Sequence, residues 1–199
     1  MTEFIYEVTD VPVSEGVTPW QTVGPFFHYA LPYDEGPLVA GPSRAGAFTL
    51  HGYVYDGQGD PIPDSLVEIW QADESGGFVS SPGIFEAPAA DGFRGFGRSA
   101  TDTDGHYAFT TVKPAAVPTA DGAAQAPHIA MSMFARGMLR RVVTRVYFDE
   151  DDHSSDPLLS SLESSEAATL VASRDAEGYR FDLRLQGDDQ TVFLDVAAH

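Results

Sequence analysis

Seven short stretches of this chain alternate apolar and polar residues, and most are separated by turns rich in Gly, Pro or Asp. A period of two belongs to β-strands with one face buried, and segments of five to eight residues are too short for stable helices. Phe48–Tyr55 is the clearest, ended by the turn Asp56-Gly57-Gln58-Gly59-Asp60-Pro61. Ser65–Ala72 follows, and His106–Val112 comes after the turn Asp102-Thr103-Asp104-Gly105. His128–Phe134 and Arg141–Phe148 flank a loop at Ala135-Arg136-Gly137, and Tyr179–Leu185 and Thr191–Asp195 close the set. Strands at this spacing, enriched in β-branched and aromatic residues, predict an all-β fold, an antiparallel β-sandwich.

Two regions depart from the alternation. Residues 1–46 are rich in proline and lack a period, so they are expected to form an extended N-terminal arm, with the sandwich occupying 47–199. Trp20, Phe26, Phe27, Tyr29 and Leu31 make the arm too apolar to stay solvated, which favours wrapping on a partner subunit. Near the other end, Asp156-Pro157 resembles a helix cap with proline at the first position, and Leu158, Leu159 and Leu162 supply a partial apolar face. One short helical segment over 156–170 is the expectation.

The chain has 199 residues, one domain's worth, and a formal charge of −19. Such acidity repels nucleic acid and anionic membranes, so neither is an expected partner. Cysteine is absent, which removes disulfides, thiolate nucleophiles and iron–sulfur clusters and fits a cytoplasmic protein. The acidic start, Met1 to Glu7, carries no secretory signal pattern, and no apolar run approaches the roughly 20 residues of a membrane helix.

Residue chemistry by itself yields no complete catalytic set. Six histidines stand at 28, 51, 106, 128, 153 and 199 without the i, i+2 spacing that would converge two ligands from one strand. His128, alone in an apolar strand, is expected to be hydrogen-bonded in a core or interface. The run Asp149–His153 lacks the spacing of a calcium loop and is expected to be a solvated turn. Lys113 is the single lysine, so each arginine draws notice. Arg136, on a turn between two strands, could fork onto a carboxylate ligand or sit in an ordinary surface ion pair.

Three blocks carry a resemblance to a known family. They are Gly52–Pro61 running into Val67-Glu68-Ile69-Trp70-Gln71-Ala72-Asp73, then Thr101–Pro114, then Ala126-Pro127-His128-Ile129 through Phe148. With Thr18–Phe26 in the arm they span most of the chain, and they resemble the intradiol ring-cleaving dioxygenases. Catalytic members of that family hold non-haem Fe(III) with two tyrosines and two histidines. In this sequence the matching positions read Phe78, Val117, His128 and Ala130, so one ligand of four is left and His128 is a remnant.

The resemblance therefore implies a subunit that binds no metal, active beside a homologous beta subunit that carries the Fe(III). The implied reaction opens the ring of 3,4-dihydroxybenzoate with O₂ between its hydroxyl-bearing carbons. It also implies that Thr22, Gly24, Pro25, Phe26 and Arg136 line the substrate cleft at the subunit boundary, Arg136 near the substrate carboxylate. Two other possibilities stay open at this point: a stand-alone binding or adaptor module on the same scaffold, and an enzyme for another catechol with an unusual iron site.

Overall fold

A computed structural model describes residue 19, residues 21–79 and residues 86–195. Residues 1–18 and Trp20, part of the expected arm, lie outside the described residues. Among the described residues nine strands form: β1 (Phe48–Tyr55), β2 (Ser65–Trp70), β3 (Phe96–Ala100), β4 (His106–Thr111), β5 (Ile129–Ala135), β6 (Val142–Phe148), β7 (Val171–Arg174), β8 (Gly178–Arg180) and β9 (Leu183–Arg184). Two short helices, α1 (Phe27–Ala30) and α2 (Ser164–Ala168), accompany them.

Instead of two antiparallel sheets, the strands follow one path, β3-β2-β5-β6-β7-β8-β1-β4, with β9 beside β1. Five pairings are antiparallel, but β6 with β7 and β1 with both β8 and β9 are parallel. The sheet is thus mixed, which corrects the antiparallel expectation. Turn signals mark hairpins, and hairpins are antiparallel; the parallel pairs come from longer connections that local patterns do not reveal. Residues 149–170 supply one such connection, crossing over before β7 returns alongside β6.

The sheet curls until its two edges meet. Ala108 of β4 donates its N–H to Ser99 Oγ of β3 at 3.4 Å. Gly97 of β3 lies so close that a Cβ there would sit 2.5 Å from Val39 and 3.0 Å from the Phe109 ring. One core fills the resulting half-barrel, with Leu50, Val54, Val67, Ile69, Phe109, Ile129, Met131, Val146 and Phe148 buried together from both halves of the path.

The segment over 156–170 is not one helix. A single 3-10 turn, Leu159–Ser161, is cut off at Leu162, which is extended, and α2 begins afresh with a reciprocal cap between Glu163 and Glu166. Leu159 and Leu170 turn under Tyr147 and Ala126 in a small second core, and that packing wins over a continuous helix whose exposed face carries four serines. Tyr179–Leu185 divides into β8 and β9, and Thr191–Asp195 forms no strand. β3 and β7 escaped the sequence pattern, β3 because its glycine-rich approach reads as a loop.

Part of the arm is stitched to this sheet. Arg94, buried at the approach to β3, donates to four backbone carbonyls, those of Glu35, Gly36, Glu86 and Phe96, at 2.7–3.1 Å. Arg98 reaches the Leu31 carbonyl at 2.8 Å while pairing with Glu68 at 2.6 Å. Val39 and Ala40 are fully buried, so packing begins before residue 47. No helix among the described residues is long and apolar enough to cross a membrane.

Candidate functional site

Strand β5 has chemistry at both ends. At its start, His128 and Ala130 face a cavity of about 230 Å³ whose other walls are Trp70, Gln71, Ala72, Phe78, Ala115 and Val117. The four positions singled out from the sequence, Phe78, Val117, His128 and Ala130, come from three separate stretches of chain and converge here.

Each wall has a local reason to be where it is. Trp70 ends β2 opposite Ala130, its backbone partner in β5. Gln71 is buried and ties the end of β2 to the end of β4: its Nε2 donates to the carbonyls of Val112 at 2.8 Å and Ala72 at 3.1 Å, and its Oε1 accepts from Thr111 Oγ1 at 2.6 Å. Asp73 then shapes the turn that delivers Phe78, because its Oδ1 accepts from Ser75 Oγ at 2.7 Å and from the N–H groups of Ser75 and Gly77. The Ser75 hydroxyl, helped by those N–H groups, holds the Asp73 carboxyl below the usual range.

His128 is fixed by its backbone neighbourhood. Its Nδ1 lies 2.9 Å from the Ala126 carbonyl, so Nδ1 carries the proton and donates, and Nε2 is left as an acceptor. Burial pushes its pKa below the ordinary histidine range. Beneath it, Asp156 is completely buried and accepts four hydrogen bonds: from the N–H groups of Ala126, Leu158 and Leu159 and from the Tyr147 hydroxyl. The Tyr147 ring packs tilted against the His128 ring, centroids 5.5 Å apart, and burial pushes its hydroxyl up to about 12.

Ferric iron prefers anionic oxygen together with imidazole. Phe78, Val117 and Ala130 have no ligand atom, and every polar atom of Gln71 is already committed. The donor set is one imidazole nitrogen, and it does not fit the metal.

Six residues further along β5, about 20 Å away at the usual strand rise, the β5–β6 turn carries Arg136. Its guanidinium pairs with Asp64, Nε lying 3.2 Å from Oδ2, yet the side chain is 69% exposed. The Gly137 N–H donates to Thr22 Oγ1 at 3.2 Å, which brings the arm to this turn. Gly24 takes a left-handed φ of +75°, bending the chain into α1, where Phe27 is buried 5.7 Å from Phe134. Phe26 and Tyr29 are left 76% and 80% exposed, with Val23 and Leu139 half-exposed. Thr22, Gly24, Pro25, Phe26 and Arg136 thus gather at one end of β5, and the cavity lies at the other.

Residues 23–187 match the dioxygenase family. The chain belongs to the intradiol dioxygenase family. It is 41% identical over 198 residues to the protocatechuate 3,4-dioxygenase alpha chain of Burkholderia cepacia, covering 90% of this chain and 97% of that one. Its identity to the beta chain from the same organism is 36% over 151 residues, 70% of this chain and 64% of that one. An intradiol ring-cleavage dioxygenase from Tetranychus urticae superposes with a TM-score of 0.54 over 92% of this chain and 97% of its own at 16% identity, a likeness of fold.

The remaining sequence candidates scatter. His51 is buried on β1 and pairs with Asp175 at 3.1 Å; His106 lies 5.8 Å from its ring, across the sheet from the cavity strands. The acidic run is not wholly solvated, because Lys113 donates to Glu150 at 2.8 Å and to Asp151 at 2.7 Å, and Tyr179 donates to Glu150. Asp156 reads in the sequence as a helix cap and Tyr147 as an ordinary strand residue, and neither pattern signals their support of His128. The proline after Asp156 signals a cap but not the four donors that the carboxylate gathers.

Proposed function

We propose that this chain is the metal-free alpha subunit of a protocatechuate 3,4-dioxygenase. In that role it assembles with a homologous beta subunit that holds the Fe(III). The pair converts 3,4-dihydroxybenzoate and O₂ to 3-carboxy-cis,cis-muconate, both oxygen atoms entering the product. The observation that carries the reading is the donor-poor cavity: a chain matched to the family over 23–187 converges the four ligand positions and keeps one ligand atom. Such a chain needs a partner to supply the metal, and relatives named as alpha and beta chains make a homologue the natural one.

The contribution of this chain is then the far end of β5. Thr22, Gly24, Pro25 and Phe26 form one wall of the substrate cleft, and the arm, the expected segment 1–46, lies against the partner through its exposed aromatic residues. Arg136 presents a guanidinium to the substrate carboxylate, with Asp64 steadying it. In a chain of −19 that local positive charge is what lets an anionic substrate approach. The absence of cysteine fits a cytoplasmic setting.

Expression alone and together with a homologue bearing all four ligands tests this. The chain alone is expected to purify without stoichiometric iron and to consume no O₂ with 3,4-dihydroxybenzoate. Co-expressed, the two are expected to elute together with one iron per pair and to cleave the ring. Iron held by this chain alone with ring-cleaving activity overturns the proposal, and failure to co-elute points to a stand-alone binding module.

A further inference from the structure

We propose that the cavity at the start of β5 is a binding site for a neutral phenol, whose hydroxyl donates to His128 Nε2 while its ring lies between Trp70, Phe78, Val117 and Ala130. The space and its walls come first. At about 230 Å³ the cavity exceeds the roughly 150 Å³ that suffices for an apolar protein cavity to take up benzene. Side chains lacking any polar atom supply most of the lining: Ala72, Phe78, Ala115, Val117 and Ala130.

The polar chemistry of the site is narrow, and it selects the ligand class. Gln71 borders the cavity but spends its amide on Val112, Ala72 and Thr111. His128 spends Nδ1 on the Ala126 carbonyl, and its Nε2 has no hydrogen-bond partner among the described residues. An imidazole acceptor on an apolar wall suits a ligand with one hydroxyl donor and an aromatic face, the usual composition of a small-molecule site. Carboxylates are disfavoured, because no arginine or lysine among the described residues lines the cavity and the chain as a whole is strongly negative. The same argument separates this cavity from the Arg136 end of β5, where an anion is welcome.

Binding of 4-fluorophenol and fluorobenzene to the purified complex, followed by ¹⁹F NMR, tests the inference. Wild type is expected to bind both saturably and to prefer the phenol about five-fold, the value of one neutral hydrogen bond. His128→Leu is expected to lose that preference while still binding fluorobenzene, which also shows that the cavity has survived the substitution. Ala130→Phe fills the cavity and is expected to weaken both probes at least ten-fold, and 3,4-dihydroxybenzoate is expected not to displace either. Probe binding that Ala130→Phe leaves unchanged belongs elsewhere, the partner's iron included, and overturns the inference. So does the absence of saturable binding in wild type, or a preference for phenol that persists in His128→Leu.

Discussion

Gln71 and Asp156 show what single buried polar groups do in this molecule. Both are fully committed, Gln71 by closing the ends of β2 and β4 together and Asp156 by gathering four donors under the cavity floor. Asp156→Ala strands three backbone N–H groups and the Tyr147 hydroxyl in an apolar setting. A loss of about 2–4 kcal/mol is expected, read from the urea midpoint, with Asp156→Asn retaining part of it. Arg136 makes the opposite kind of contribution, exposed and directed outward. In the assembled enzyme Arg136→Gln is expected to raise KM for 3,4-dihydroxybenzoate about ten-fold with kcat little changed, because a charge-assisted contact to a carboxylate distant from the scissile bond is uniform binding. Equal losses in kcat and kcat/KM would instead place the guanidinium in the transition state. At this scale the resemblance singled out Phe78, Val117, His128 and Ala130, and the structure brings all four to one cavity. The partners of Gln71 and Asp156 were not legible in the sequence, since Val112 and Ala126 lie 30 to 41 residues away.

At the scale of elements, β1 does the most unusual work. It pairs with β4 along one edge and with β8 and then β9 along the other. Between β8 and β9 the ladder continues in altered form: the Phe181 N–H donates to the His51 carbonyl at 2.8 Å, and Asp182 takes the Tyr53 N–H at 3.1 Å with its side chain. Gly52 makes the crossing possible, because a Cβ there would lie 1.8 Å from the Phe181 carbonyl oxygen. Gly52→Ala is therefore expected to force the two backbones apart and cost about 3 kcal/mol or more, measured as a drop in thermal midpoint with the β8–β9 amides exchanging fastest. Alternation over 179–185 correctly marked a strand-like stretch, but the interruption lies in which backbone groups pair, a property of β1 and not of the segment itself. Likewise, Leu158, Leu159 and Leu162 read as one helical stripe, yet the space beneath Tyr147 accepts only a tight turn followed by a separate α2.

Across the whole molecule the acidity is locally organised. Lys113 gathers Glu150 and Asp151 at the exit of β6. Burial works against ionisation of Glu150, but hydrogen bonds from Lys113 and Tyr179 outweigh it and bring the carboxyl down to about 2. A carboxyl depressed in the folded state stabilises it above the ordinary carboxylate range and loses that contribution as the pH falls toward about 2. Lys113→Met is accordingly expected to move the acid-unfolding midpoint, followed by far-UV circular dichroism, to higher pH. The all-β class and most strand positions were readable from alternation. The curl and the parallel pairs were not, since they depend on where long connections come to rest. The two ends of β5 lie about 20 Å apart, so substitutions at one end are nearly additive with those at the other. Phe78, Val117 and Ala130 are thereby free to change while the Thr22–Arg136 end keeps its shape, and the reverse holds equally.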